Sequence, residues 1–124
     1  METFKSSILE TPAIHIDINK GRIEISGRSN LPNSVEFYSE LLEKITSCAR
    51  EVSFKTINVQ LTYLNTGSSK WIYHIFRKLE GMNKCKGEMQ INWFYDEDDE
   101  TIQEAGEDFQ SLLTIPFNLI ELQD

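Results

Sequence analysis

The order of apolar and polar positions divides the chain into segments of two periods. In AIHIDI, residues 13–18, Ala13, His15 and Asp17 alternate with Ile14, Ile16 and Ile18, the period of a half-buried strand. NKG then turns the chain, and RIEISG resumes the alternation through Ile23 and Ile25. Together the two segments predict a β-hairpin with glycine at the tight position. An earlier piece around Phe4 and Ile8 predicts an edge strand. The period then lengthens. In NLPNSVEFYSELLEKITSCAREV, Val35, Tyr38, Leu41, Leu42, Ile45 and Ala49 share one helical face, with Asn33 as cap and Glu36 completing a capping-box-like pair.

KTINVQLTYL returns to strand period, with Ile57, Val59, Leu61 and Tyr63 on one side. Five small polar residues interrupt the pattern. After them Ile72, Ile75, Phe76, Leu79 and Met82 recur at helical spacing, with Gly81 as the stop. EMQINWFY is a further strand carrying Met89, Ile91, Trp93 and Tyr95, and DEDDE leads into a third helix with Ile102, Ala105, Phe109, Leu112 and Leu113. Gly106 weakens that helix by about 1 kcal/mol relative to alanine. PFNLIEL reads as the last strand.

The order is hairpin, helix, strand, helix, strand, helix, strand. It predicts an α/β fold: a single domain over residues 1–124, a mixed sheet with an N-terminal hairpin, and three crossover helices. The strand of residues 56–63 is expected at the centre, because its apolar face suits burial by helices. Ligands and regulatory sites in such sheets gather at the carboxyl ends of the parallel strands. Two polar turns leave strands there, Asn65–Ser69 and Asp96–Glu100.

Composition narrows the function. The net charge is −8 with a pI near 4.7, and the twelve basic residues are spread out. Nucleic acid is therefore not expected as a partner, since phosphate binding needs clustered cations. An anionic membrane surface is disfavoured for the same reason. Cys48 and Cys85 are too few for a disulfide framework and sit in no metal or redox spacing. The opening METFKSSILETP has no basic region followed by an apolar run, and no stretch approaches the roughly 20 apolar residues of a membrane span. A cytoplasmic protein is expected.

The candidate chemistry is sparse. His15 and His74 have no nucleophile or second base at a useful spacing. The run DEDDE favours the positive end of a helix dipole, by about 0.3–1 kcal/mol for each carboxylate, and lacks the turn glycine of a calcium loop. In Asn65-Thr66-Gly67-Ser68-Ser69-Lys70 the phosphate-loop pattern is absent, so no cofactor is expected. Asn65 or Thr66 can cap the following helix. A hydroxyl there also sits where a phosphate is tolerated by the free amides and the dipole, which makes the turn a candidate phosphoacceptor. The alternative is a small-molecule or metal-binding module that uses the same edge.

A strand, a short turn with an exposed hydroxyl, then a helix on a small acidic α/β domain resembles the anti-sigma factor antagonists and their STAS relatives. A closer resemblance covers nearly the whole chain. GRIEISGRS, VEFYSELL, YLNTGSSK, INWFYDEDDE, EAGEDF and IPFNLIEL, in that order, resemble the SiaC family of bacterial regulatory phosphoproteins. The resemblance implies a STAS-like fold without catalytic activity. It also implies threonine phosphorylation by a SiaB-type protein kinase, removal by a PP2C-type phosphatase, and binding of the unphosphorylated form to a diguanylate cyclase, which it activates. Carried across, the phosphoacceptor is Thr66, with Ser68 next in line. Asn65, Gly67, Ser68, Ser69, Lys70, Asp96, Asp98 and Asp99 form the expected switch loop and partner-binding surface. The family usually places a serine after the threonine. This chain has Gly67, which loosens the helix start and removes one hydroxyl.

Overall fold

A computed structural model of the chain describes residues 2–5, 11–83 and 89–123, the first four by their backbone only. Ile8 and Cys85 lie outside the described residues. Six strands form one sheet in chain order: β1 (Glu2–Lys5), β2 (Ala13–Asp17), β3 (Arg22–Ser29), β4 (Thr56–Leu64), β5 (Gln90–Asp96) and β6 (Phe117–Leu122). β1, β2 and β3 pair antiparallel, and β3 to β6 pair parallel. The predicted hairpin is β2–β3, closed by a bond from Gly21 N to Ile18 O (3.3 Å). The four-residue β1 takes the edge expected of the piece around Phe4. As expected, β4 is interior.

Each parallel connection contains a helix: α1 (Ser34–Ala49), α2 (Thr66–Asn83) and α3 (Glu100–Leu112). Because sheet order equals chain order, right-handed crossovers place all three on the same face. That face holds the core. Ile14, Ile16, Ile23, Ile25, Ile57, Val59, Leu61, Ile91 and Trp93 meet Tyr38, Leu41, Ile45, Ile72, Ile75, Phe76 and Leu79 from the helices. The opposite face is mostly polar, with Phe94 and Ile120 paired on it. Asn58, Asn92 and Asn118 are in register across β4, β5 and β6; Asn118 Nδ2 donates to Asn92 Oδ1 and Asn92 Nδ2 to Asn58 Oδ1, each at 2.9 Å.

Details of the predicted pattern change in three dimensions. On α1 the buried row is Phe37, Leu41, Ile45 and Cys48, with Tyr38 beside it. Val35 lies roughly 110° round the helix from its centre and is 58% exposed. Asn33 occupies the N-cap position, yet its side chain makes no capping bond. On α2, Gly81 does not stop the helix, which runs on to Asn83. Among the described residues no atom of another segment comes within 4 Å of where a Gly81 side chain would start, and Met82 is exposed.

On α3, Leu112 faces solvent while Ile102, Gly106 and Phe109 are buried. Gly106 is there for close approach. A Cβ on it would meet Trp93 Cδ1 at 2.4 Å, Trp93 Nε1 at 2.6 Å and Leu119 Cδ2 at 2.7 Å. The missing side chain lets the helix lie directly on the indole, whose Nε1 donates to Ile102 O at 2.9 Å.

Candidate functional site

The chain reaches the carboxyl edge of the sheet through a bulge. Leu61 pairs with Gly27 and Tyr63 with Arg28, so Thr62 is an extra residue in β4. Gly27 has φ 100°, a conformation that glycine adopts without steric cost. The bulge reverses the alternation of β4. Leu64 packs against the core beside Ser29, whereas Tyr63, expected on the buried side, is 41% exposed beneath the Arg28 guanidinium (4.8 Å to the ring centroid).

Asn65 alone separates strand from helix, and residues 66–70 are already the first turn of α2 rather than a loop. The Asn65 Oδ1 accepts from Ser68 N at 2.9 Å, and its carbonyl accepts from Ser69 N at 2.9 Å. Its backbone N–H donates to Ser29 O at 3.0 Å. Its Nδ2 donates to Leu31 O at 3.1 Å and, at 3.3 Å, to Asn30 Oδ1. Asn65 thus caps α2 and ties the cap to the end of β3.

Thr66 follows as the first helical residue. It is exposed, and its hydroxyl makes no hydrogen bond among the described residues. Gly67 packs toward α1: a Cβ there would lie 2.9 Å from Ser34 Oγ, so the two helix starts approach closely at this point. Lys70 is exposed and Ser69 half-buried.

Ser68 is a correction to the expected surface, because it is fully buried. Position three of the helix points its side chain back under the cap, where Ser29 Oγ donates to Ser68 Oγ at 2.8 Å. Ser29 Oγ also lies 2.6 Å from the Tyr38 hydroxyl. Burial pushes the Tyr38 phenol above its usual range, partly offset by its hydrogen-bonding neighbours Ser29 and Ser68, so it stays protonated. Sequence reasoning missed Ser29 and Tyr38. A serine ending a strand and a tyrosine on a helical stripe carry no local signal that they will meet.

The second polar turn leaves β5, which neighbours β4 in the sheet, so both turns occupy the same edge. Asp96 ends the strand, and its carbonyl accepts from Asp99 N at 2.9 Å. Asp99 caps α3, its Oδ1 accepting from Ile102 N at 3.1 Å. Asp96 and Asp98 are exposed without such a task. Away from this edge, His15 lies on the polar sheet face opposite Glu24, and His74 is exposed on α2 with its ring edge-on to Trp71 at 5.8 Å. Among the described residues no three His, Cys, Asp or Glu side chains gather as a metal site, and no helix is long and apolar enough to cross a membrane.

A mixed sheet covered by helices on one face, with an exposed threonine opening the helix after an interior strand, defines a small STAS-like α/β domain. The chain belongs to the SiaC family of regulatory phosphoproteins, which matches residues 5–122. It is 29% identical over 108 residues to an uncharacterized protein of Pseudomonas aeruginosa strain UCBPP-PA14, covering 86% of each chain. It superposes on SiaC of Pseudomonas aeruginosa with a TM-score of 0.86 at 25% identity, over 98% of this chain and all of that one. It also matches a chain in the complex of the diguanylate cyclase SiaD with its activator SiaC, with a TM-score of 0.85 at 26% identity, over 94% of this chain and 96% of that one.

Proposed function

We propose that this protein is a non-enzymatic phospho-switch of the cytoplasm in which the state of Thr66 controls binding to, and activation of, a diguanylate cyclase. A SiaB-type kinase adds the phosphate and a PP2C-type phosphatase removes it. The observation that carries the reading is the placement of Thr66. It is an exposed residue at the start of α2 whose hydroxyl has no bond among the described residues, next to a cap that does not depend on it. Family membership and the SiaC–SiaD complex support the partner. The dipole and free amides of the first turn tolerate a phosphate, so modification changes the surface offered to the partner without unfolding the domain.

Incubation with a SiaB-type kinase and ATP, followed by mass spectrometry of the peptide spanning Thr66, tests the acceptor. Thr66→Ala is expected to lose phosphorylation and keep cyclase binding. Full-stoichiometry phosphorylation of Thr66→Ala would move the acceptor elsewhere, with Ser69 the half-buried alternative.

A further inference from the structure

Three hydroxyl residues lie within four positions of α2: Thr66 is exposed, Ser69 half-buried and Ser68 buried. The inward one is held by groups distant in sequence. Ser29 closes β3, Tyr38 lies in the second turn of α1, and Ser68 lies in the first turn of α2; all three are fully buried. Their oxygens form one chain, Tyr38 to Ser29 at 2.6 Å and Ser29 to Ser68 at 2.8 Å. Since the Ser29 proton goes to Ser68, the Tyr38 hydroxyl donates to Ser29, and its raised pKa keeps that proton in place.

A buried hydroxyl without partners is costly, so each link holds the next. Ser68 is also the residue whose amide donates to the Asn65 cap at 2.9 Å. The first turn of α2 is therefore held at one residue by two independent bonds: the local cap through the backbone and the hydroxyl chain through the side chain. The cap resides in the turn itself. The hydroxyl chain belongs to α1 and β3.

We propose that Tyr38 is a positioning residue for the switch turn. Through Ser29 it draws Ser68 inward, holds the first turn of α2 closed, and so decides which hydroxyl of the turn a kinase can reach. The hydroxyl chain also makes the turn sensitive to α1. Any displacement of α1 that parts Tyr38 from Ser29 loosens the segment that carries Thr66. This inference rests on the proposed function for its kinase step, whereas its structural step stands alone.

The test uses Tyr38→Phe, which keeps the ring and removes only the hydroxyl, and Ser29→Ala, which removes the middle link. Native-state amide exchange is compared between the Ser68 and Ser69 amides and those of Val59 and Ile91 in the core strands. Losing one buried bond should speed exchange at the turn about 5-fold or more beyond any change in the core. The same proteins are then treated with the SiaB-type kinase and ATP, and the phosphate is mapped by mass spectrometry. Wild type is expected to carry it at Thr66 alone, and both variants to carry a measurable share at Ser68. Exchange that rises equally at the turn and in the core, or not at all, overturns the positioning role. Phosphate that stays at Thr66 alone in both variants overturns the selection role. If wild type takes no phosphate at Thr66, the proposed function is what fails, and the exchange comparison still decides whether Tyr38 holds the turn.

Discussion

Asn65 and Thr66 are neighbours in one short turn, and the structure gives them opposite tasks. Replacing Asn65 with alanine removes the oxygen that accepts from Ser68 N and the amide that donates to Leu31 O. Loss of an N-cap costs about 0.5–2 kcal/mol, typically near 1. The second bond adds about 1 kcal/mol, with a further penalty for the carbonyl left underused. The sum is about 2–3 kcal/mol, a fall in Tm of roughly 8–12 °C for a domain of this size. Asn65→Asp keeps the capping oxygen and adds a charge favoured by the dipole, but turns that charge toward the Leu31 carbonyl. It should lose about 1 kcal/mol. Thr66→Ala deletes a hydroxyl with no bond among the described residues and should stay within about 0.5 kcal/mol of wild type. Urea titrations followed by far-UV circular dichroism rank the three. A Thr66→Ala protein as unstable as Asn65→Ala would mean that the threonine oxygen is the cap, and a hydroxyl engaged in that way is a poor candidate for modification.

Gly106→Ala should destabilise the domain by about 1–3 kcal/mol, although helix propensity alone would favour it by nearly 1, because the new methyl overlaps the Trp93 indole; a stabilised variant would refute the packing argument. Glu80, near the end of α2, is pushed toward a higher pKa by burial, but the Thr114 amide and hydroxyl, the Ile115 amide and Arg77 outweigh this and bring it below the usual carboxylate range. Its ionised form is thus favoured by folding. The stability lost in Glu80→Gln should be full above the unfolded pKa of about 4.3 and vanish as pH falls through the lower folded value, and a pH-independent difference would contradict that linkage. On the proposed function, in which phosphorylation of Thr66 weakens cyclase binding, Asp96→Asn with Asp98→Asn, leaving the cap Asp99 intact, should restore part of that binding, more so at low salt, since a phosphate adds about −1.5 to −2 charges to this edge. An identical phosphorylation penalty in wild type and variant at every salt concentration would leave steric blockage as sufficient.

Much of the fold follows from period alone. Ile14, Ile16, Ile23 and Ile25 mark the hairpin, and Ile72, Ile75, Phe76 and Leu79 mark the buried side of α2, because alternation and helical spacing are local and survive folding unchanged. Strands separated by helices also imply the parallel sheet, and with it the edge that both polar turns occupy. The six blocks resembling the SiaC family pointed to Thr66. Contacts between distant segments were not legible. Tyr63 looked like the last buried residue of its strand, but an extra residue opposite Gly27 turns it outward, and that bulge depends on β3 and β4 together. Gly106 looked like a flaw in a helix until Trp93 was seen beneath it. Ser68 was expected on the same exposed surface as Thr66, next in line as acceptor. A helix sends its first and third residues in different directions, and at this point the inner direction ends on Ser29 and Tyr38, contributed from 39 and 30 residues earlier in the chain. Local pattern determined the elements and their order, whereas tertiary approach decided which side chains at the start of α2 face outward.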